Sequence, residues 1–222
     1  MFDSIAHSYD QLNITLSMGI DRIWRRRAMA ALKPYAPKQM LDVATGTGDL
    51  AILSAQRLKP KRVTGIDLSE GMLAIGRQKV QRAGLEQLVV MECQDCLNLQ
   101  FEDNSFDAIT VAFGVRNFED LEKGFREMYR VLKPGGVLLV LELSTPQRFP
   151  MKQLYTFYSA TVIPFFGRLI SKDRAAYDYL NKSVQVVPQG EEMASIFRNT
   201  GFKQVRFSRY TFGICTNYMG EK

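Results

Sequence analysis

The sequence predicts an α/β protein built on a mostly parallel, seven-stranded sheet, with helices on both faces and an antiparallel hairpin at its C-terminal end. Three observations carry this. The run Met40-Leu41-Asp42-Val43-Ala44-Thr45-Gly46-Thr47-Gly48-Asp49-Leu50 is a short apolar strand, a Gly-x-Gly turn and the opening of a helical pattern. Residues 137–142 are almost wholly apolar, as expected of a buried central parallel strand. The last two strand-like runs, 204–211 and 214–219, are separated only by Phe212-Gly213, a spacing that suits antiparallel pairing.

The elements follow in order. Residues 11–32 read as a helix containing Ile20, Ile23 and Trp24, and Lys33-Pro34 stops it. The basic run Arg25-Arg26-Arg27 on this helix reads as a solvated face, with a binding patch as the other reading. After the first strand, a helix over 49–58 ends before Pro60, and a second strand spans 62–67. Ser69 is a good N-cap for a helix that places Leu73, Gly76 and Val80 on one face and stops at Gly84. A third strand covers 88–92. The turn Asp103-Asn104-Ser105 leads to a fourth, 108–113. Leu121, Phe125, Met128, Tyr129 and Leu132 recur with helical period. Pro134-Gly135-Gly136 reads as a turn before the apolar strand. Beyond Pro188, a helix over 191–199 is stopped by Gly201. Residues 144–187 interrupt the alternation with Phe149, Tyr155, Phe157, Tyr158, Phe165, Phe166, Tyr177 and Tyr179. Lys152, Arg168, Lys172, Arg174 and Lys182 are interspersed among them. An insertion of this size is either extra helical packing or a cover over an apolar substrate. There are no repeats and no low-complexity segment. The chain therefore reads as one domain, 1–222, with an N-terminal helical segment 1–36 and a helical insertion 144–187 as substrate cover.

Composition narrows the classes. At 222 residues and 46% hydrophobic residues, the chain can bury a full core. A net charge of +6 favours an anionic partner or surface without choosing one. Three cysteines, Cys93, Cys96 and Cys215, argue against a disulfide framework and for a reducing compartment. Cys93-x-x-Cys96 has no second pair, and His7 is the one histidine, so no metal site is expected. The first residues lack an apolar signal segment, and no apolar run reaches the roughly 20 residues needed to span a bilayer.

The Gly-x-Gly turn and its acids point to a nucleoside ligand. Glycines allow positive φ and close backbone approach. Asp67 ends the second strand about 20 residues after the first, where a carboxylate suits ribose hydroxyls. A dinucleotide would place a pyrophosphate on the helix N-terminus, where Asp42 and Asp49 would repel it. Those acids suit a ligand carrying an ammonium and a sulfonium, namely S-adenosylmethionine. A nicotinamide-dependent enzyme and a ligand-free α/β domain are the weaker alternatives.

Several segments resemble the C-methyltransferases that complete menaquinone and ubiquinone rings, a family of Rossmann-like class I methyltransferases. Tyr9-Asp10-Gln11-Leu12-Asn13, with Ser17 and Trp24, resembles that family's N-terminal signature. Arg130-Val131-Leu132-Lys133-Pro134-Gly135-Gly136, followed by Glu142-Leu143-Ser144, is similar to its second signature. Phe113-Gly114-Val115-Arg116-Asn117 and Val187-Pro188-Gln189-Gly190 resemble two further family segments, so the likeness runs through the whole chain. Two departures stand out: Leu12 replaces the usual Met, and Asp21 stands where the signature usually has His.

The resemblance implies transfer of a methyl group from S-adenosylmethionine to a ring carbon of a prenylated quinol. Demethylmenaquinol is the first choice, with the benzoquinol of ubiquinone synthesis beside it. It implies that Asp42, Gly46, Thr47 and Gly48 hold the methionine end and that Asp67 accepts from the ribose. Met72, Asp95 and Cys96 are implied at the adenine end, and Ala112 is implied to contribute to the cofactor site through its backbone. The ring carbon becomes nucleophilic when the adjacent phenol, with an ordinary pKa of about 10, loses its proton. Arg116 is then expected to stabilise the phenolate, Asn117 to orient the ring hydroxyl and Tyr9 to close the site. Asp10 and His7 are the base candidates. An RNA or protein methyltransferase is the rival reading, but the fourth strand ends in Phe-Gly-Val-Arg-Asn rather than an Asn/Asp-Pro-Pro-Tyr loop. The expectation is thus a cytoplasmic enzyme, peripherally associated with the inner face of the cell membrane. It contacts that surface reversibly and binds no nucleic acid. A homodimer is compatible with the sequence.

Overall fold

The computed structural model describes residue 14, residues 17–162 and residues 183–222. Seven strands form one sheet in the order β3-β2-β1-β4-β5-β7-β6. They are β1 (Gln39–Val43), β2 (Arg62–Asp67), β3 (Val89–Cys93), β4 (Phe106–Ala112), β5 (Leu132–Leu143), β6 (Lys203–Tyr210) and β7 (Cys215–Glu221). Strands β1 to β5 pair in parallel. Strand β7 inserts antiparallel between β5 and β6, which closes the predicted hairpin. Strand order reverses between β1 and β4, and in an open α/β sheet that switch point leaves a crevice beyond the carboxyl ends of the two strands.

Helices cover both faces of the sheet. On one face α1 (Asp21–Leu32), α2 (Asp49–Leu58) and α3 (Glu70–Arg82) bury Trp24, Met29, Leu50, Ala51, Leu73 and Val80 against the sheet. On the other, α4 (Leu121–Val131) and α6 (Glu191–Thr200) contribute Phe125, Met128, Met193 and Phe197. Val137 to Leu141 are fully buried, so β5 carries core residues on both faces, as its apolar run predicts. Each such side chain is worth roughly 1.5–3 kcal/mol of burial. The caps are local. Ser69 accepts from the Met72 amide at 3.2 Å, and Asp120 caps α4 by accepting from the Lys123 amide at 2.9 Å. Gly201 ends α6 with a φ of 112°.

Three expectations are corrected. The helix expected over 11–32 is broken at Met18-Gly19, both at positive φ, and α1 begins at Asp21. Leu132 leaves the helical period and starts β5, because it pairs with Phe106 of β4. The Pro134-Gly135-Gly136 turn is absorbed into β5 as an irregularity: the register passes from Phe106–Leu132 to Ala108–Val137. Within the insertion, α5 (Met151–Phe157) and a π-helical turn (Tyr158–Val162) are described. Its remaining aromatic and basic residues, from Phe165 to Lys182, lie outside the described residues.

Candidate active site

The site grows from the turn between β1 and α2. Ala44, Gly46 and Gly48 all have positive φ, which folds the chain back sharply at the strand end. At Gly46 a Cβ would point into open space, so the backbone itself forms the floor of a cavity. Two hydrogen bonds tie this turn to β2: the Thr45 amide donates to the Ile66 carbonyl at 2.9 Å, and the Gly46 amide to Asp67 Oδ2 at 2.8 Å. Asp67 Oδ1 accepts from the Ser69 amide at 2.9 Å. Its carboxylate is thus aimed by two backbone donors and keeps acceptor capacity for a ligand.

Above this floor lies a cavity of about 300 Å³. Ile66, Leu68, Met72, Leu97, Phe113 and Phe118 give it apolar walls, while Asp67, Asp95 and Asn117 supply polar edges. A smaller cavity adjoins it, sharing Ala44, Gly46, Ala112 and Phe113, and is lined further by Arg25, Asp42, Thr45, Thr47 and Asp49. Burial pushes the Cys96 thiol up to about 12, so this cavity-lining sulfur is a neutral wall group.

Asp42 is buried below the small cavity. Its carboxylate accepts from Thr45 Oγ1 and Thr110 Oγ1, each at 2.6 Å. Burial raises its pKa to about 6, against the pull of these hydroxyls and of the Arg25 charge. Because the folded value lies above the unfolded one, the folded chain holds the extra proton between about pH 4 and 6. Asp42 therefore withdraws stability as pH rises through that window. Asp42→Asn removes the ionisation. In denaturant unfolding, its stability relative to the parent is expected to improve by about 1–2 kcal/mol between pH 5 and pH 8. A pH-independent difference would contradict the raised pKa. Asp49, the acid at the helix start, is held by Lys79, with Arg25 Nη1 at 3.9 Å.

A second charged group stands beyond the cavity. Arg116, in the 3-10 turn Val115–Asn117 after β4, donates from Nη1 to Glu142 Oε1 at 2.6 Å. The pair is buried, with side-chain exposures of 9% and 2%. Tyr155 of α5 lies near enough for the Arg116 charge to act on it. Burial raises the Tyr155 phenol, and Arg116 partly offsets that rise.

A family model described as the ubiE/COQ5 methyltransferase family matches residues 1–222. The chain belongs to that family. It is 58% identical over 222 residues to a demethylmenaquinone methyltransferase of Bacteroides fragilis, covering 100% of this chain and 91% of that one. It is 46% identical to a ubiquinone/menaquinone biosynthesis C-methyltransferase of Geotalea daltonii, covering 100% of this chain and 94% of that one. A solved structure of an S-adenosylmethionine-dependent methyltransferase from Thermotoga maritima, described as a possible histamine N-methyltransferase, superimposes with a TM-score of 0.68 at 21% identity. The match covers 100% of this chain and 98% of that one and speaks to the fold alone.

The residues of this ubiE/COQ5 family member that the sequence singles out fall into five groups. Gly46, Asp67, Met72, Asp95, Cys96, Ala112 and Asn117 line the main cavity. Asp42 and Thr47 line the smaller one. Gly48 lines neither; its positive φ sets the start of α2, where a Cβ would collide with Met91. Arg116 lines neither of these two cavities and sits with Glu142. Tyr9, Asp10 and His7 lie outside the described residues. The paired cavities fit S-adenosylmethionine: the apolar chamber with Asp67 at its edge suits an adenosine, and the charged annex suits an amino acid. Sequence reasoning missed Arg25 and Glu142 as parts of this region. Asp21, one helical turn before Arg25, was the available signal for the first, since an i,i+4 acid marks that arginine apart from Arg26 and Arg27. For Glu142 the signal was an acid at the end of an apolar strand, the same pattern that singled out Asp67.

Among the described residues, no group of three or more His, Cys, Asp or Glu is placed to hold a metal ion. No described helix is long and apolar enough to cross a membrane.

Proposed function

We propose that this chain methylates a ring carbon of a prenylated quinol, with demethylmenaquinol as its substrate. It is an S-adenosylmethionine-dependent C-methyltransferase of menaquinone and ubiquinone biosynthesis. The observation that carries the choice of ring is the likeness, over the whole chain, to relatives named demethylmenaquinone methyltransferase at 58% and 48% identity. S-adenosylmethionine supplies an electrophilic methyl group. The chain's residues hold the cofactor, align the ring carbon and stabilise the phenolate that makes this carbon nucleophilic.

Asp67 accepts from the ribose, and Asp42 provides a negative field for the ammonium. Gly46, Thr47 and Gly48 form the turn around the methionine end. Met72, Asp95 and Cys96 enclose the adenine, and Ala112, which lines both cavities, contributes through its backbone. Arg116 stays protonated and serves as phenolate stabiliser; for the same reason it is no base. Asn117 orients the ring hydroxyl, Tyr9 closes the site and Asp10 is the base candidate. Glu142 fixes the guanidinium, so a preset charge meets the developing oxyanion.

The decisive experiment is methyl transfer from labelled S-adenosylmethionine to a reduced, short-tail demethylmenaquinol, with product mass as readout. Methylated naphthoquinol is the expected product. Turnover of a demethylated benzoquinol alone would transfer the assignment to the other ring.

The insertion over 144–187 is the substrate cover in this reading. Phe149, Leu154 and Phe157 are exposed large apolar side chains, and Arg148 and Lys152 lie beside them in sequence. Such a surface suits reversible contact with an anionic leaflet, from which a polyprenyl tail worth about 0.8 kcal/mol per buried CH₂ can be drawn. The protein is expected to co-sediment with anionic vesicles at low salt and to release as salt rises. Indifference to such vesicles would refute the membrane contact.

A further inference from the structure

The small cavity holds a cation that the reading above leaves without a task. Arg25 stands on the inward face of α1, beside the buried Trp24 and Ala28, whereas Arg26 and Arg27 are exposed. Its side chain is 12% exposed and lines the same cavity as Asp42, Thr45, Gly46 and Thr47. The guanidinium lies over the Phe113 ring at 5.3 Å from the centroid. Nη1 pairs with Asp21, which is itself buried and accepts from Ser17 Oγ at 2.8 Å. Nε is buried and has no hydrogen-bond partner among the described residues.

A buried guanidinium N–H without an acceptor calls for an explanation, because its desolvation is uncompensated. A ligand with a carboxylate supplies one. The amino-acid end of S-adenosylmethionine is a zwitterion, and its two charges need opposite partners. Asp42 offers a field for the ammonium. The carboxylate would stand in the same annex beside Asp42 and Asp49, two acids that repel it, unless a cation takes it. Arg25 is the cation among the described residues lining this cavity; Lys79 is engaged with Asp49. With Nη1 fixed by Asp21, the Nε–Nη2 edge is the one left to pair side-on with a carboxylate.

We propose that Arg25 is the carboxylate clamp of the cofactor site and that Asp21 is the positioning residue that presents its Nε edge. The inference rests on the S-adenosylmethionine reading and adds a subsite to it. Asp21, buried one helical turn before Arg25 on α1, holds the Nη1 end of the guanidinium and so sets its orientation.

Calorimetric binding of two ligands tests it: S-adenosylmethionine, and its decarboxylated analogue, which keeps the sulfonium, the amine and the adenosine. The wild-type chain is expected to prefer the carboxylated ligand at least tenfold. Arg25→Gln is expected to bind both at the weaker level, and Arg25→Lys, which lacks the fork, to recover only part of the preference. A wild-type preference that survives in Arg25→Gln overturns the clamp. So does a wild-type chain that binds both ligands equally, a comparison that stands even if the variants do not fold. If the wild-type chain binds neither ligand, the cofactor reading itself falls and takes this inference with it.

Discussion

Arg116→Ala is expected to lower turnover by about 10²–10³-fold while leaving the cofactor dissociation constant within about threefold of the parent. The argument is electrostatic. A phenol with a pKa of about 10 stays protonated at neutral pH unless its anion is stabilised, and a fixed guanidinium in a dry site does this without reorganising. The same substitution has a second consequence, because Arg116 is half of a buried ion pair with Glu142. Stranding that carboxylate costs about 3–5 kcal/mol, so lost activity could reflect lost fold. The double variant Arg116→Gln, Glu142→Gln separates the two. It removes both charges together, so much of the stability is expected to return while turnover stays low. Near-normal turnover in the double variant would make Arg116 a structural brace and end its assignment to the phenolate.

The second large effect is expected at Asp67. Asp67→Ala should raise the dissociation constant for S-adenosylmethionine by about 100-fold, the loss expected when charge-assisted hydrogen bonds worth about 1.5–3 kcal/mol each are removed. Two amides, of Gly46 and Ser69, also lose their acceptor, which loosens the turn that floors the cavity. Methylthioadenosine, which keeps the ribose and lacks the amino-acid end, should weaken to the same degree. Affinity unchanged in a calorimetric titration would remove Asp67 from the ribose.

What could be read from the chain was whatever is set by neighbours in sequence. The bounds of α2 and β2 coincide with the expected ones because Lys59-Pro60 and the Gly-x-Gly turn punctuate them locally. Ser69 caps α3 by a rule that needs three residues of context. That Asp67, Asp95 and Asn117 line one cavity was legible because each stands at or beyond the carboxyl end of a parallel strand, and a parallel sheet delivers all such ends to one edge. What stayed hidden depends on partners remote in sequence. Asp42 is shielded by Thr110, 68 positions away, which no local pattern announces. Glu142 meets Arg116 across two strand ends. Leu132 fits the helical period of α4 perfectly well and is claimed by β5 because Phe106 lies opposite it. Tyr9 and Asp10, named through resemblance, fall outside the described residues.

Trp24 is the one tryptophan in the chain. Its indole donates to Thr211 Oγ1 at 2.8 Å, and its ring centroid stands 6.2 Å from that of Phe113, a wall shared by both cavities. The molecule therefore carries a built-in optical probe. Emission excited at the indole comes from a single, buried, hydrogen-bonded fluorophore whose neighbour borders the ligand chamber. A shift in its intensity or wavelength on titration would report filling of that chamber without a label, and stopped-flow traces of the same signal would time it.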